Sequence, residues 1–322
     1  MKNIGIFCGG FSSEYEISIL SGQTIVANFP KEYNSYLIEV KKEDWSIHYN
    51  KQIYKLNPWN LSFFVGKKEI KLDAGLVYIH GNPGENGKLQ AFFDLREFPY
   101  INAGALASEL SFDKWFCNQF LKGFGISIAK SILLTAVEEY KEDEIIDYLS
   151  LPVFVKPCDS GSSYGISKVN KKSELKNAII TAFAEGKTVV IESFLKGKEI
   201  TCGVYRNEKG VITLPLTEIV SDNEFFDYEA KYKGKSNEIT PAPISVKHED
   251  RIKEKAILIY KILQIKSIAR IDFMLVEDEP YLIEVNTTPG FSPASIVPQM
   301  IKADGNTIEN FWREIIETEI KI

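Results

Sequence analysis

The sequence lacks most of the features that mark the simpler functional classes. Its four cysteines, Cys8, Cys117, Cys158 and Cys202, are scattered, and no two form a Cys-x-x-Cys pair. That spacing offers neither a zinc site nor a disulfide framework. Positive charge is not in excess, since 38 Lys and Arg against 44 Asp and Glu leave a net charge of −6. This argues against a nucleic acid or an anionic membrane as the main partner, although a local basic groove for a phosphate ligand stays open. No apolar run approaches the ~20 residues of a membrane span, and the opening Met-Lys-Asn-Ile-Gly-Ile-Phe-Cys is too short in apolar residues for a signal peptide. A cytoplasmic protein is expected. Neither an internal repeat nor a low-complexity stretch interrupts the chain. With 322 residues, 44% of them hydrophobic, there is apolar material for two or three domains, each with its own core.

What is present is most informative between Ile268 and Ser292. Two apolar runs with period-two alternation flank Glu277-Asp278-Glu279-Pro280, which predicts an antiparallel hairpin. A turn centred on Asp278 sets Arg270 opposite Asn286 and Asp272 opposite Glu284. Ile271, Phe273 and Leu275 then share the apolar face with Tyr281, Ile283 and Val285. Two carboxylates facing each other about 5 Å apart repel, so a positive group must lie between them. Either Arg270 supplies it on an exposed face, or a divalent cation does, and oxygen-only ligands suit Mg²⁺. The turn residues Asn286-Thr-Thr-Pro-Gly290 directly after the acids favour the ligand site.

Earlier segments read as alternating strands and helices. Asn3–Cys8 is a strand, Gly9-Gly10 a turn, and Glu14–Asn28 a helix, but neither the spaced glycines of a dinucleotide fingerprint nor a Walker lysine follows. Glu14, at the mouth of that turn, is placed to bind an amine. Trp45, Trp59, Phe63 and Phe64 are read as structural. Leu76–Ile79 is a second strand running into the loop His80–Gly87, and the alternation suggests an open parallel sheet with His80 and Glu85 at its carboxyl end. A helix is expected over Ser111–Gly123, capped by Ser111, with Lys114 near its start either solvated or facing an anion. Strand 152–157 ends in Lys156, and the small-residue loop 159–165 is either a phosphate cradle or a plain connection. Strands follow at 187–195 and 199–205. The interleaved aromatic and basic residues of 225–237 suit a small anionic ligand better than a stacked nucleic acid. A last structural helix spans 308–320.

Taken in order, Gly-Gly-x-Ser-x-Glu14-x-Glu-x-Ser, His80-Gly-x-x-Gly-Glu, Asp113-Lys114, Val-Lys156-Pro, Gly-Ser162-Ser-x-Gly, Phe-Asp-Tyr-Glu-Ala-Lys231-Tyr232, Ala-Arg270-Ile-Asp272 and Glu284-Val-Asn286-Thr-x-Pro-Gly resemble the D-alanine:D-alanine ligases of the ATP-grasp superfamily along essentially the whole chain. The resemblance implies an α/β fold, α+β in its C-terminal part. The implied arrangement is a three-domain ATP-grasp with an N-terminal open parallel-sheet domain at 1–102, a central domain at 103–195 and a C-terminal domain at 196–322. It implies ATP and two Mg²⁺ or Mn²⁺ ions, the metals held by Asp272, Glu284 and Asn286 and the phosphates by Lys114, Lys156 and Lys231. Adenine would lie against Glu192, Ser193, Phe194 and Leu195, and ribose against Glu199. Glu14, in a network with Ser162 and Tyr232, would hold the amino group of the first D-alanine, with His80 also on the substrate side. Arg270 and the Gly290 N–H would form the oxyanion site, and Ser295 and Ile296 would contact the second D-alanine. The implied reaction makes D-alanyl-D-alanine for peptidoglycan through an acyl phosphate, in a homodimer, with the loops of Ser162 and Tyr232 closing over it. Ser160, Ser193 and Pro293-Ala294 depart from the family pattern. Tyr232 favours dipeptide over D-alanyl-D-lactate, whose makers typically carry histidine there. Another ATP-grasp ligase and a non-catalytic nucleotide-binding module are the alternatives.

Overall fold

The structure is a computed structural model that describes residues 1–137, 140–161, 164–221 and 236–320. Ser162, Lys231, Tyr232 and most of the 225–237 segment lie outside the described residues. Three larger sheets organise the chain.

The first sheet is built on strand β1 (Asn3–Gly9), paired in parallel with β2 (Asn34–Val40) and β7 (Ala74–Val77), which in turn pairs with β8 (Tyr100–Ile101). Helix α1 (Tyr15–Ala27) crosses over it. The expected parallel sheet is therefore present, but β3 (Trp45–Tyr49) and β4 (Gln52–Lys55) extend it as an antiparallel edge. A separate small hairpin pairs β5 (Ser62–Val65) with β6 (Lys68–Lys71). Phe63 is buried there, whereas Trp59 and Phe64 are exposed, Trp59 still meeting the Phe92 ring edge-on at 6.2 Å. Strand alternation accounts for Phe64, because neighbours on a strand point to opposite faces.

Helices α2 (Lys88–Leu95), α3 (Ala105–Phe112) and α4 (Lys114–Lys122) follow. The long helix expected from Ser111 is two helices broken at Asp113, whose extended backbone lets its carboxylate accept from the Phe116 N–H at 2.9 Å. Asp113, not Ser111, is thus the cap, and it sets Lys114 as the first helical residue. Asp113→Ala should cost about 1 kcal/mol in a urea unfolding experiment. A loss of less than a few tenths would show that the cap carries no weight.

The second sheet has the order β11 (Ser167–Val169), β10 (Val153–Pro157), β12 (Val189–Ser193), β9 (Ser131–Leu134), all antiparallel, and is covered by α5 (Glu142–Leu149) and α6 (Lys172–Glu185). The third has the order β16 (Ser236–Ile239), β15 (Thr217–Ser221), β13 (Lys198–Asn207), β17 (Ile268–Val276), β18 (Glu279–Asn286), with β14 (Gly210–Thr213) beside β13. Helix α7 (Val246–Ile262) packs on one face together with α3 and α4. On its other side the third sheet shares a continuous apolar core with α8 (Ile296–Ala303), α9 (Ile308–Glu319) and the first sheet. The four cysteines are buried and free.

The hairpin β17–β18 has the expected cross-strand pairs Arg270↔Asn286 and Asp272↔Glu284. Its turn is tighter than expected, with Glu277 left-handed at φ 53° and Val276 opposite Glu279. The register shifts after Asp272, so Phe273 pairs with Leu282. Leu282, not Tyr281 or Ile283, completes the buried face with Ile271, Phe273, Leu275 and Val285. One extra residue in a strand is what a β-bulge supplies, and Ile283 is held there by its carbonyl, which accepts from Asn118 Nδ2 at 3.3 Å.

Candidate active site

The carboxyl ends of the parallel strands and the polar face of the hairpin enclose one cleft of about 500 Å³. At the strand ends, Glu14 and His80 line it and are both buried. The α1 side chain Ser21 lies 3.1 Å from His80 Nε2, and the Ser12 hydroxyl donates to the His80 carbonyl at 2.9 Å. Burial lowers the His80 pKa and so favours the neutral imidazole, against the opposing pull of Glu14. His80 therefore has the well-bonded setting of a positioned hydrogen-bonding group.

Glu85 closes the loop after His80 by accepting the Gly81 N–H at 2.7 Å. Burial, then the nearby Glu14 carboxylate, push its pKa from 4.5 to about 8, with Glu284 adding to the rise. The folded protein therefore holds this proton more tightly than the unfolded chain. The resulting stability is full below the ordinary value of 4.5 and is lost as pH rises through about 8. Glu85→Gln, permanently neutral, should lose that part of the decline in urea-unfolding stability between mildly acidic and mildly alkaline pH. An unchanged slope would remove Glu85 as its source.

On the cleft floor, the Arg270 guanidinium grips Asp272 through two hydrogen bonds of 2.8 and 2.7 Å. Asp272 also accepts from Thr201 at 2.5 Å and from Asn286 Nδ2 at 3.1 Å. Opposite it, Glu284 lies 3.5 Å from Lys114 Nζ and 4.0 Å from Arg270. Arg270 and Lys114 thus lie beside the two acids, on a face that lines the cleft and is not the exposed surface of the arginine reading. Lys114 further donates to the Ser160 carbonyl at 2.7 Å, which ties the 159–161 loop to the same floor. Among the described residues no three His, Cys, Asp or Glu side chains gather around one point. Two carboxylates and an amide nevertheless form a hard, oxygen-rich donor set that fits Mg²⁺ when phosphate oxygens and water complete its ligands.

The second sheet supplies the remaining wall. Lys156 donates to Glu192 at 2.8 Å, and its ammonium lies 5.5 Å from the Phe154 ring centre. Burial works against its charge, but Glu192, with Glu284 and Glu199 farther off, holds its pKa above the usual lysine range. Phe194 packs 6.0 Å from Phe154 and lies under the Lys168 ammonium. Ser193, Phe194, Leu195 and Glu199 all face the cleft. Gly290, Ser295 and Ile296 line it at the far end, where the Ser295 hydroxyl is 2.8 Å from that of Ser292.

All described members of the expected site are therefore brought to one cavity. Phe154, Met274, Thr201 and the structural weight of Glu85 were missed. Phe154 precedes Lys156 by two on β10, and Met274 follows Asp272 by two on β17, so period-two alternation already put each on the cleft face. Thr201 gives no such signal, because its partner Asp272 is 71 residues away.

A family model described as the D-ala D-ala ligase N-terminus matches residues 3–103, and one described as the C-terminus matches 120–317. A D-alanine--D-alanine ligase of Azobacteroides pseudotrichonymphae is 43% identical, covering 99% of this chain and 100% of its own length. This chain belongs to the D-alanine:D-alanine ligase family. Its fold is accordingly the ATP-grasp. The VanG D-Ala:D-Ser ligase from Enterococcus faecalis superposes with a TM-score of 0.87 at 31% identity, covering 99% of both chains. The D-alanine--D-alanine ligase from Bacillus anthracis, solved with ATP, gives 0.80 at 29% identity, covering 99% of this chain and 97% of that one.

Proposed function

We propose that this ligase joins two D-alanines into D-alanyl-D-alanine with ATP, giving ADP and phosphate, for peptidoglycan precursors. The observation that carries the proposal is the convergence of Glu14, Lys114, Lys156, Arg270, Glu284 and Gly290 on one cleft although they come from three different sheets and their connecting loops. A carboxylate is a poor electrophile, so the first D-alanine must be activated as an acyl phosphate, a transfer governed by positioning and charge neutralisation. Lys114 and Lys156 are placed to hold phosphate oxygens, with Lys231 assigned the same role. Phe154, Phe194 and residues 192–195 border the part of the cleft assigned to adenine, with Glu199 assigned to the ribose.

Asp272, Glu284 and Asn286 would hold the two Mg²⁺ or Mn²⁺ ions, whose charge would offset that of the phosphates. Glu14 accepts the first substrate's ammonium, in the network assigned to Ser162 and Tyr232, and His80 supports that wall. Arg270 and the Gly290 N–H stabilise the oxyanion formed as the second amine attacks. Ser295 and Ile296 border the second substrate.

The division at 1–102, 103–195 and 196–322 is part of the proposal, supported by one of the three larger sheets in each segment, although α3 and α4 pack on the third sheet. A homodimer and a cytoplasmic location belong to it as well. No described helix is long and apolar enough to cross a membrane. The test is ADP release with D-alanine, D-serine and D-lactate offered as second substrates. D-Alanine should be preferred. Preference for D-serine, the substrate named for the Enterococcus relative, would overturn the second-substrate assignment.

A further inference from the structure

The loop that carries Gly290 is held from behind by the first sheet and its helix. Tyr78, just past the end of β7, is fully buried, and its hydroxyl donates to the Pro289 carbonyl at 2.7 Å across 211 residues of sequence. Pro289 C=O and Gly290 N–H belong to the same peptide unit. That peptide is not among the cis bonds, so the two groups point in opposite directions. A carbonyl aimed into the core at Tyr78 sends the Gly290 N–H the other way, to the side on which Gly290 lines the cleft. Among the described residues no protein acceptor is hydrogen-bonded to that N–H.

The next peptide unit is held too, since the Phe291 N–H donates to Ser21 Oγ at 3.2 Å. Tyr78 is itself fixed, because Ser18 of α1 donates to its carbonyl at 2.8 Å and its ring meets Phe291 and Trp312 edge-on at 5.6 and 5.9 Å. Burial holds the Tyr78 hydroxyl well above the usual tyrosine range, so it remains a donor at working pH.

We propose that Tyr78, with Ser21, is a positioning residue for the oxyanion site. Its hydroxyl locks the Pro289–Gly290 peptide so that the Gly290 N–H is presented, preorganised, to the tetrahedral intermediate. A second effect acts in the same direction, since a peptide whose carbonyl accepts a hydrogen bond is polarised and donates more strongly through its N–H. Glycine after Pro289 leaves the peptide otherwise free to rotate, so the lock has to come from outside the loop. The proposal rests on the ligase reading above and deepens it.

The test is Tyr78→Phe, which keeps the ring and its packing and removes only the donor. Three quantities are measured on the full chain: kcat for D-alanyl-D-alanine, the inhibition constant of a phosphinate dipeptide that mimics the tetrahedral intermediate, and the dissociation constant of ADP. The expected result is a kcat lowered about tenfold, less than the 10²–10³-fold of losing a donor outright. The phosphinate should weaken by a similar factor while ADP binding is unchanged. A role confined to stability would lower the melting temperature and leave the inhibition constant alone, and an unchanged constant overturns the proposal. Should Tyr78→Phe not fold, Ser21→Ala releases the adjoining peptide of the same loop and is read against the same inhibitor with the same two outcomes. A wild-type protein that makes no dipeptide refutes the ligase reading itself. An active wild type whose variants bind the phosphinate as it does refutes only the role of Tyr78 and Ser21.

Discussion

Arg270→Met is expected to lower kcat by about 10²–10³-fold, the usual consequence of deleting one preorganised oxyanion donor. It should also destabilise the protein. Arg270 covers both oxygens of a buried Asp272, and removing one partner of a buried pair costs roughly 3–5 kcal/mol because the remaining charge is uncompensated. Thr201 and Asn286 still donate to Asp272 and should keep the loss toward the lower end of that range. Steady-state kinetics and urea unfolding separate the two effects. Arg270→Lys restores the charge without the planar fork, so stability should recover further than kcat. Full activity in the methionine variant would exclude Arg270 from the chemistry.

The second large effect is expected from Glu284→Gln. The substitution is isosteric and removes one negative charge from the cleft floor, and kcat should fall on the order of 10²-fold or more because phosphate positioning depends on that charge. The fold should survive, since Glu284 is partly exposed and its contact with Lys114 is 3.5 Å long. Titrating ADP with and without Mg²⁺ gives an independent readout. The gain in nucleotide affinity from added Mg²⁺ should shrink in the variant. Because Glu284 helps to raise the Glu85 pKa, the variant should also move the pH-dependent loss of stability to lower pH. A variant with normal turnover and an unchanged Mg²⁺ effect would contradict the metal assignment.

Much of this was legible in the sequence because the signals are local. Alternation over 268–286 placed Arg270, Asp272, Glu284 and Asn286 on one face, and their cross-strand pairing is as expected. The bulge beyond Asp272 was not legible. It comes with a hydrogen bond from Asn118 to the Ile283 carbonyl across 165 residues, and no periodicity reports such a contact. The helix break at Asp113 is a subtler failure, because Ser111 and Asp113 are both good caps and only the backbone geometry decides between them. Trp59 and Phe64 are exposed despite their size, a reminder that much of a folded surface is apolar. The support for the Gly290 loop, reaching from Tyr78 and Ser21 on the first sheet and its helix, could not be found from spacing at all.

The reaction itself is open to a direct measurement. Purified protein is incubated with ATP, Mg²⁺ and D-alanine, and ADP and D-alanyl-D-alanine are quantified in the same samples by a coupled assay and mass spectrometry. The expected result is one dipeptide for every ADP, with no appreciable ADP formed when D-alanine is omitted. ADP released without dipeptide, or at the same rate whether or not D-alanine is present, would contradict the assignment of this cleft to peptide ligation.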